Sequence, residues 1–166
     1  MKRVLLDNVD STNSYADRLA AESHEDCLII AKQQTNGRGQ FERTWFAEPE
    51  KSITMSYLLW HEIDEQKVPT IIADTLNELY DIDAEVVLPN DIYAHGKKIC
   101  GLLIEKYFEA NRFKYIVIGI GVNVNNEHFP DEIADKASSI KLLTNKEVDT
   151  AELIDRLTEK MESLYA

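Results

Sequence analysis

The sequence predicts an α+β fold, a mixed and mostly antiparallel sheet with helices packed on it. Two observations lead there. The strand-like runs Lys98–Glu105 and Phe113–Val124 are separated by a short polar link around Glu109–Arg112, which pairs them as an antiparallel hairpin. The strand-like and helix-like runs do not alternate strictly, so a doubly wound parallel sheet is disfavoured. No repeat, low-complexity tract or linker interrupts the chain, and residues 1–166 read as a single domain.

Arg3–Val9 reads as a first strand. Asp10-Ser11-Thr12-Asn13 supplies side-chain oxygens that can cap a helix, expected over Ser14–Ser23 with Tyr15, Leu19 and Ala20 at helical spacing. Cys27–Gln33 is a second strand, and the alternating run Ser52–Trp60 a third. Pro69–Tyr80 fits a helix, with Pro69 in the first turn, where an amide lacks an intrahelical partner anyway. Its core face carries Ile71, Ile72, Leu76 and Leu79. Ala84–Leu88 is a short strand, and Asp91–Tyr93 another, with a turn at Ala94–Lys97. In Phe113–Val124 near-continuous apolarity implies burial on both faces, and Gly119 and Gly121 leave room for a close approach to the backbone. Residues 125–144 read as loop with one short turn of helix. Asp149-Thr150 can cap a last helix over Ala151–Tyr165, with Leu153, Leu157, Met161 and Leu164 inward.

Composition narrows the function classes. The 166 residues include 18 basic and 30 acidic side chains, a formal charge of −12, with 44% hydrophobic residues. Nonspecific nucleic-acid binders show the opposite balance, so no nucleic-acid partner is expected. Arg38, Arg43, Lys97 and Lys98 nevertheless fall in the candidate motifs, which allows a local positive site in an acidic protein. Cys27 and Cys100 lie in apolar runs and are expected to be buried thiols. The N-terminus lacks a signal-peptide core and no run is long enough to span a membrane, so a cytoplasmic protein without a membrane partner is expected. His24, His61, His95 and His128 are scattered and give no structural-zinc spacing.

Four stretches carry the chemistry. Gln34–Trp45 holds two glycines around Arg38, a second guanidinium at Arg43 and an indole at Trp45. Glycine lets a ligand reach the main chain, guanidinium suits phosphate or carboxylate, and an indole offers a stacking surface. By itself this stretch reads equally as a ligand loop or a mobile surface loop. The other three are Asp10–Asn13, Leu88-Pro-Asn-Asp-Ile-Tyr93 with Lys98-Ile-Cys-Gly101, and Gly119-Ile-Gly-Val-Asn123.

Together, in this order, they resemble the landmarks of the biotin protein ligases, within the biotin/lipoate ligase family. These carry Asp-Ser-Thr-Asn, Gly-Arg-Gly-Arg-x-Gly-Arg-x-Trp, Lys-Trp-Pro-Asn-Asp, Lys-x-x-Gly-hydrophobic-Leu-x-Glu and Gly-Ile-Asn, and the likeness covers nearly the whole chain. The resemblance implies a class II synthetase-like catalytic domain that activates biotin with ATP to biotinyl-5′-AMP. It then transfers biotin to a lysine of a biotin carboxyl carrier protein. ATP with Mg²⁺ and biotin are implied as substrates and ion, with no tightly bound cofactor. A lipoate or other acyl-acid ligase, or a non-catalytic binder of biotin or its adenylate, are the alternatives.

The resemblance assigns biotin contacts to Ser11, Thr12, Asn13, Gln34, Gly37, Lys98, Gly101, Leu103, Gly119 and Val122. It assigns the adenylate to Arg38, Gly39, Gln40, Arg43, Trp45, Asn90 and Asn123, with Lys98 and Arg38 as the catalytic cations. Asp91 is a candidate for Mg²⁺, or equally a turn-capping aspartate. Three departures stand out. Gln40-Phe41-Glu42 replaces Arg-x-Gly, Val87-Leu88 replaces Lys-Trp, and the sequence stops after the last helix. A weaker hold on the adenylate is expected, in a loop that ligand would order. Neither a C-terminal β-barrel domain nor an N-terminal DNA-binding domain is expected, which argues against a repressor. A sheet edge offers a surface for a homodimer, which the sequence does not fix.

Overall fold

A computed structural model describes residues 1–165. The strands of a seven-stranded sheet follow the order Lys2–Val9, Cys27–Gln34, Ser52–Leu59, Arg112–Asn123, Lys97–Glu109, Asp91–Ala94 and Glu85–Val87. Two compact units divide the chain, one from Met1–Glu62 with Leu102–Gly121, the other from Ile63–Gly101 with Val122–Ala166.

The first unit starts with β1 (Lys2–Val9), parallel to β2 (Cys27–Gln34), which runs antiparallel to β3 (Ser52–Leu59). Between β1 and β2 lies α1 (Thr12–Ala20). It begins two residues earlier than its apolar spacing suggests, because Ser11 is the cap, its Oγ accepting from Ser14 N at 3.3 Å. Thr12 and Asn13 are thereby drawn into the first helical turn, and both are buried. Ala16 and Ala20 are the buried apolar positions of α1, packed with Cys27, Ile29, Leu58, Tyr115 and Val117. Tyr15 and Leu19 lie at the margin of this cluster. The hairpin of β6 (Lys97–Glu109) and β7 (Arg112–Asn123) contributes its outer part here. It turns on Ala110 and Asn111, both at positive φ (50° and 63°), as a two-residue turn requires. This tight turn lets β6 run four residues past Glu105, the end its apolar run suggests.

Helix α1 carries an acid-sensitive contact. Arg18 Nη1 and Nη2 each lie 2.9 Å from Asp10. This guanidinium holds the Asp10 carboxyl down at about 2, against an ordinary value of 3.8. A depressed folded-state value means that the pair stabilises the fold fully above pH 3.8 and loses that contribution as pH falls toward about 2. Both side chains are about half exposed, so the effect is modest. Asp10→Asn is expected to flatten the dependence of chemical-denaturation stability on pH across this window and to leave the slope above pH 5 unchanged.

The second unit contains β4 (Glu85–Val87), antiparallel to β5 (Asp91–Ala94), which is antiparallel to the start of β6. It also holds α2 (Val68–Tyr80), the one-turn α3 (Ile140–Thr144) and α4 (Thr150–Tyr165). Ile72 and Leu76 of α2, and Leu153, Leu157 and Met161 of α4, are buried as their spacing requires. Each such side chain contributes about 1.5–3 kcal/mol by leaving water. Ile71, Leu79 and Leu164 are only partly covered. Arg156 and Lys160 of α4 reach Glu78 of α2 at 3.6 and 3.2 Å. Both cysteines are free and buried. Among the described residues no helix is long and apolar enough to cross a membrane.

Candidate functional site

In the first unit, the end of β2, the start of α1 and the middle of β3 bring polar side chains into a dry place. The Gln34 Oε1 accepts from Thr12 N at 2.8 Å and from Thr12 Oγ1 at 3.2 Å. Ser56 Oγ lies 2.7 Å from Thr12 Oγ1 and 2.5 Å from Asn13 Oδ1, and its single proton serves one of them at a time. Asn13 Nδ2 donates to Leu103 O at 3.1 Å and to Glu105 Oε1 at 3.0 Å. Thr12, Asn13 and Ser56 are each no more than 3% exposed. Buried polar groups without partners are costly, and this closed network spares the fold that cost.

The network continues to Arg38. Its terminal nitrogens meet Glu105 at 3.2 and 3.0 Å, and its Nε donates to Ser14 Oγ at 3.1 Å. Glu105 raises the Arg38 pKa further, so the guanidinium is a permanent cation with a fixed plane. Six groups of the first unit thus line up as Gln34, Thr12, Ser56, Asn13, Glu105 and Arg38. Ser56, Glu105 and Ser14 are absent from the sequence-derived assignment. Glu105 was legible, since it continues by one more alternation the strand face that already holds Gly101 and Leu103. Ser56 was not, because its role depends on where β3 lies beside α1.

The loop after β2 folds back on itself. Arg38 bridges to Thr44, Gly39 N donates to Arg43 O at 2.7 Å and Trp45 N to Gly37 O at 2.9 Å. Gly37 is required here, since a Cβ would sit 2.6 Å from Trp45 O. Gln40–Glu42 form a single 3₁₀ turn in which Phe41 and Glu42 both take left-handed backbone, φ 56° and 61°. Non-glycine residues disfavour this region by about 1 kcal/mol or more each. Phe41 is 82% exposed, and the Arg43 guanidinium lies over its ring at 5.9 Å. Glu42→Gly is therefore expected to raise thermal stability slightly, by about 1 kcal/mol, and to increase anion affinity by removing a negative charge. Differential scanning calorimetry and ATP titration measure the two effects.

The glycines of β7 are filled by the protein itself. A Cβ on Gly119 would lie 2.3 Å from Asn13 Oδ1, and one on Gly121 would lie 2.4 Å from the Trp45 indole. The close approach read from the sequence is thus made by Asn13 and Trp45. Gly119 receives a polar amide, and Trp45 rests one part of its ring on the strand.

In the second unit, Lys98 Nζ is 2.9 Å from Asp91 Oδ1, both side chains part-buried. The register of β5 on β6 steps from Ile92↔Cys100 to Tyr93↔Lys98, so Ile99 is an extra residue on β6. Simple alternation would put Lys98 and Gly101 on opposite faces. The bulge cancels that, and Ile99 and Cys100 are buried while Lys98 and Gly101 are part-exposed. The Lys98 backbone is pinned on its far side, its N donating to Lys136 O at 2.8 Å and its O accepting from Ser138 N at 3.0 Å. Asn123 Nδ2 lies 3.5 Å from Lys98 O, and its buried Oδ1 has no partner among the described residues. Asn90, in the turn before β5, and Asp91, its first residue, are part-exposed, and Val122 is fully buried. The Cys100 thiol is pushed up to about 12 by burial, which removes it as a nucleophile near neutral pH. Among the described residues no three His, Cys, Asp or Glu side chains gather to hold a metal ion.

Residues 5–123 match the profile of the biotin/lipoate A/B protein ligase family, and the chain belongs to that family. Among its relatives, the bifunctional ligase/repressor BirA of Bacillus subtilis is 33% identical over 96% of this chain and 52% of its own length. The biotin–[acetyl-CoA-carboxylase] ligase of Mycobacterium tuberculosis is 32% identical over 95% of this chain and 63% of its own. A biotin protein ligase from Aquifex aeolicus, solved in complex with biotin and ATP, superposes with a TM-score of 0.83 at 27% identity, over 98% of this chain and 69% of that one. The chain spans about half the length of the first curated relatives it matches.

Proposed function

We propose that this chain is a biotin protein ligase, which joins biotin to AMP and passes the biotinyl group to a lysine of a biotin carboxyl carrier domain. The observation that carries the reading is the network in which Thr12 and Gln34, suited to a ureido ring, are tied to a rigidly held guanidinium at Arg38. The biotin-bound and ATP-bound relatives support the same choice of substrates.

In the first step a biotin carboxylate oxygen attacks the α-phosphorus of ATP, the bond to the β-phosphate breaks, and pyrophosphate leaves. No enzyme nucleophile is needed. The protein aligns two anions and neutralises the charge that develops between them. Lys98 does so as an ammonium beside the carboxylate and the α-phosphate, and Arg38 does so as a planar donor. Ser11, Thr12, Asn13, Gln34 and Gly37 orient the ring, and the part-exposed Gly101 and Leu103 bound the aliphatic tail, while Gly119, covered by Asn13, and the buried Val122 stand behind the exposed surface. Gly39, Gln40, Arg43, Trp45, Asn90 and Asn123 hold the adenylate, with the orphaned Asn123 Oδ1 as an acceptor for a ligand N–H or O–H. In the second step the neutral amine of the carrier lysine attacks the acyl carbon and AMP leaves.

Mg²⁺ fits as an ion that arrives with the ATP phosphates and offsets their charge. One Asp91 oxygen is committed to Lys98, so the carboxylate has only its other oxygen for a metal. Incubation with ATP, Mg²⁺ and biotin is expected to yield biotinyl-AMP and pyrophosphate, and a labelled lysine once a carrier domain is added. Turnover with lipoate alone would change the acid. Biotin binding without turnover would make the chain a binder.

A further inference from the structure

We propose that Glu105 is the positioning residue that couples the two ends of the ligand-holding network, an inference that rests on the ligase reading. Its carboxylate touches both Arg38, at the cationic end, and Asn13, from which the chain of bonds leads to the Gln34 end. Oε2 takes Arg38 Nη1 at 3.2 Å, and Oε1 takes Arg38 Nη2 at 3.0 Å together with Asn13 Nδ2 at 3.0 Å. Asn13 in turn meets Ser56, which meets Thr12, which holds Gln34. Glu105 is part-buried, with its side chain 26% exposed, so these bonds are only partly screened by water. A two-armed carboxylate fixes the guanidinium plane, which a single acceptor leaves free to swing. Ser14 at Nε completes the clamp and leaves one N–H on each terminal nitrogen for an anion. Glu105 touches no substrate in this scheme. It acts on phosphate through Arg38 and on the acid's ring through Asn13.

The two ends can be separated by experiment. Glu105→Gln keeps one oxygen for Asn13 but turns an amide nitrogen toward Arg38. It is expected to raise the KM for ATP and lower kcat, about tenfold combined in kcat/KM, while calorimetric biotin affinity stays within about twofold. Glu105→Ala is expected to lose both, about a hundredfold in kcat/KM for ATP and about tenfold in biotin affinity. In an Arg38→Ala background, Glu105→Ala is expected to add less than about twofold to the ATP defect while still weakening biotin, because groups acting through one another are not additive. Equal loss at both ends in Glu105→Gln, or a lowered Tm with unchanged constants in both variants, would overturn the assignment. If Glu105→Ala fails to fold, the Gln variant decides alone. Wild-type protein that forms no adenylate would sink the ligase reading and this inference with it. An active wild type with unaffected variants would sink only the role of Glu105.

Discussion

Lys98→Ala is expected to slow biotinyl-AMP formation about a hundred- to a thousandfold, the loss typical of removing one charge-stabilising donor from a reacting centre. The ammonium is 2.9 Å from Asp91 and its backbone is tied to Lys136 and Ser138, so it is held where the bulge at Ile99 aims it. Its removal also leaves a part-buried carboxylate without its cation. Truncating one partner of such a pair costs more than the pair itself contributes, so a drop in thermal stability is expected alongside. Asp91→Asn in the same background relieves that second cost, since the group left behind is neutral. The double variant should therefore regain stability without regaining activity. Pyrophosphate release and calorimetry separate the two effects. Full activity in Lys98→Ala would remove the central step of the proposed mechanism.

Gly119→Ala is expected to be the most damaging single-methyl change in the first unit. The new Cβ would lie 2.3 Å from Asn13 Oδ1 and 2.9 Å from its Cγ. Asn13 has little room to yield, because its amide is committed to Ser56, Leu103 and Glu105 at once. Displacing it breaks about three hydrogen bonds in a buried place, with an expected destabilisation of about 2–4 kcal/mol. Biotin affinity is expected to fall with it, since Thr12 and Gln34 lose their support. Urea titration gives the stability, and biotin binding by calorimetry gives the second effect. Unchanged values in both would mean that the strand shifts freely, against the packing described here.

The hairpin, the helices and the four motifs were legible because each depends on local pattern. Two-residue turns, capping serines and apolar spacing operate within a few residues, and Leu153, Leu157 and Met161 lie where a 3.6-residue period puts them. What escaped the sequence depends on bends and on distant neighbours. The face of Lys98 could not be read by alternation because one extra residue reverses it. The partners of Gly119 and Gly121 come from residues 106 and 76 positions earlier in the chain, Asn13 and Trp45. Glycine signalled that something comes close, and only the fold says what. Ser56 carried no signal at all, being one small polar residue in an alternating strand. Nothing in the structure explains the departure at Val87 and Leu88, which are 40% and 83% exposed.

The division into two units has a consequence for how the chain comes into being. Neither unit is a continuous length of sequence, and the chain passes from one to the other at residues 62, 101 and 121. Strand β3 ends at Leu59, yet its second neighbour in the sheet is β7, which begins at Arg112. As the ribosome extrudes the chain, β1, α1, β2 and β3 emerge early and wait for more than fifty further residues before that edge is covered. During this interval the apolar face of β3, whose residues are all buried in the finished fold, stands open. Residues 1–62 expressed alone would keep this exposure permanently, so that fragment is expected to aggregate, and only a chain reaching Gly121 carries everything the first unit needs to close.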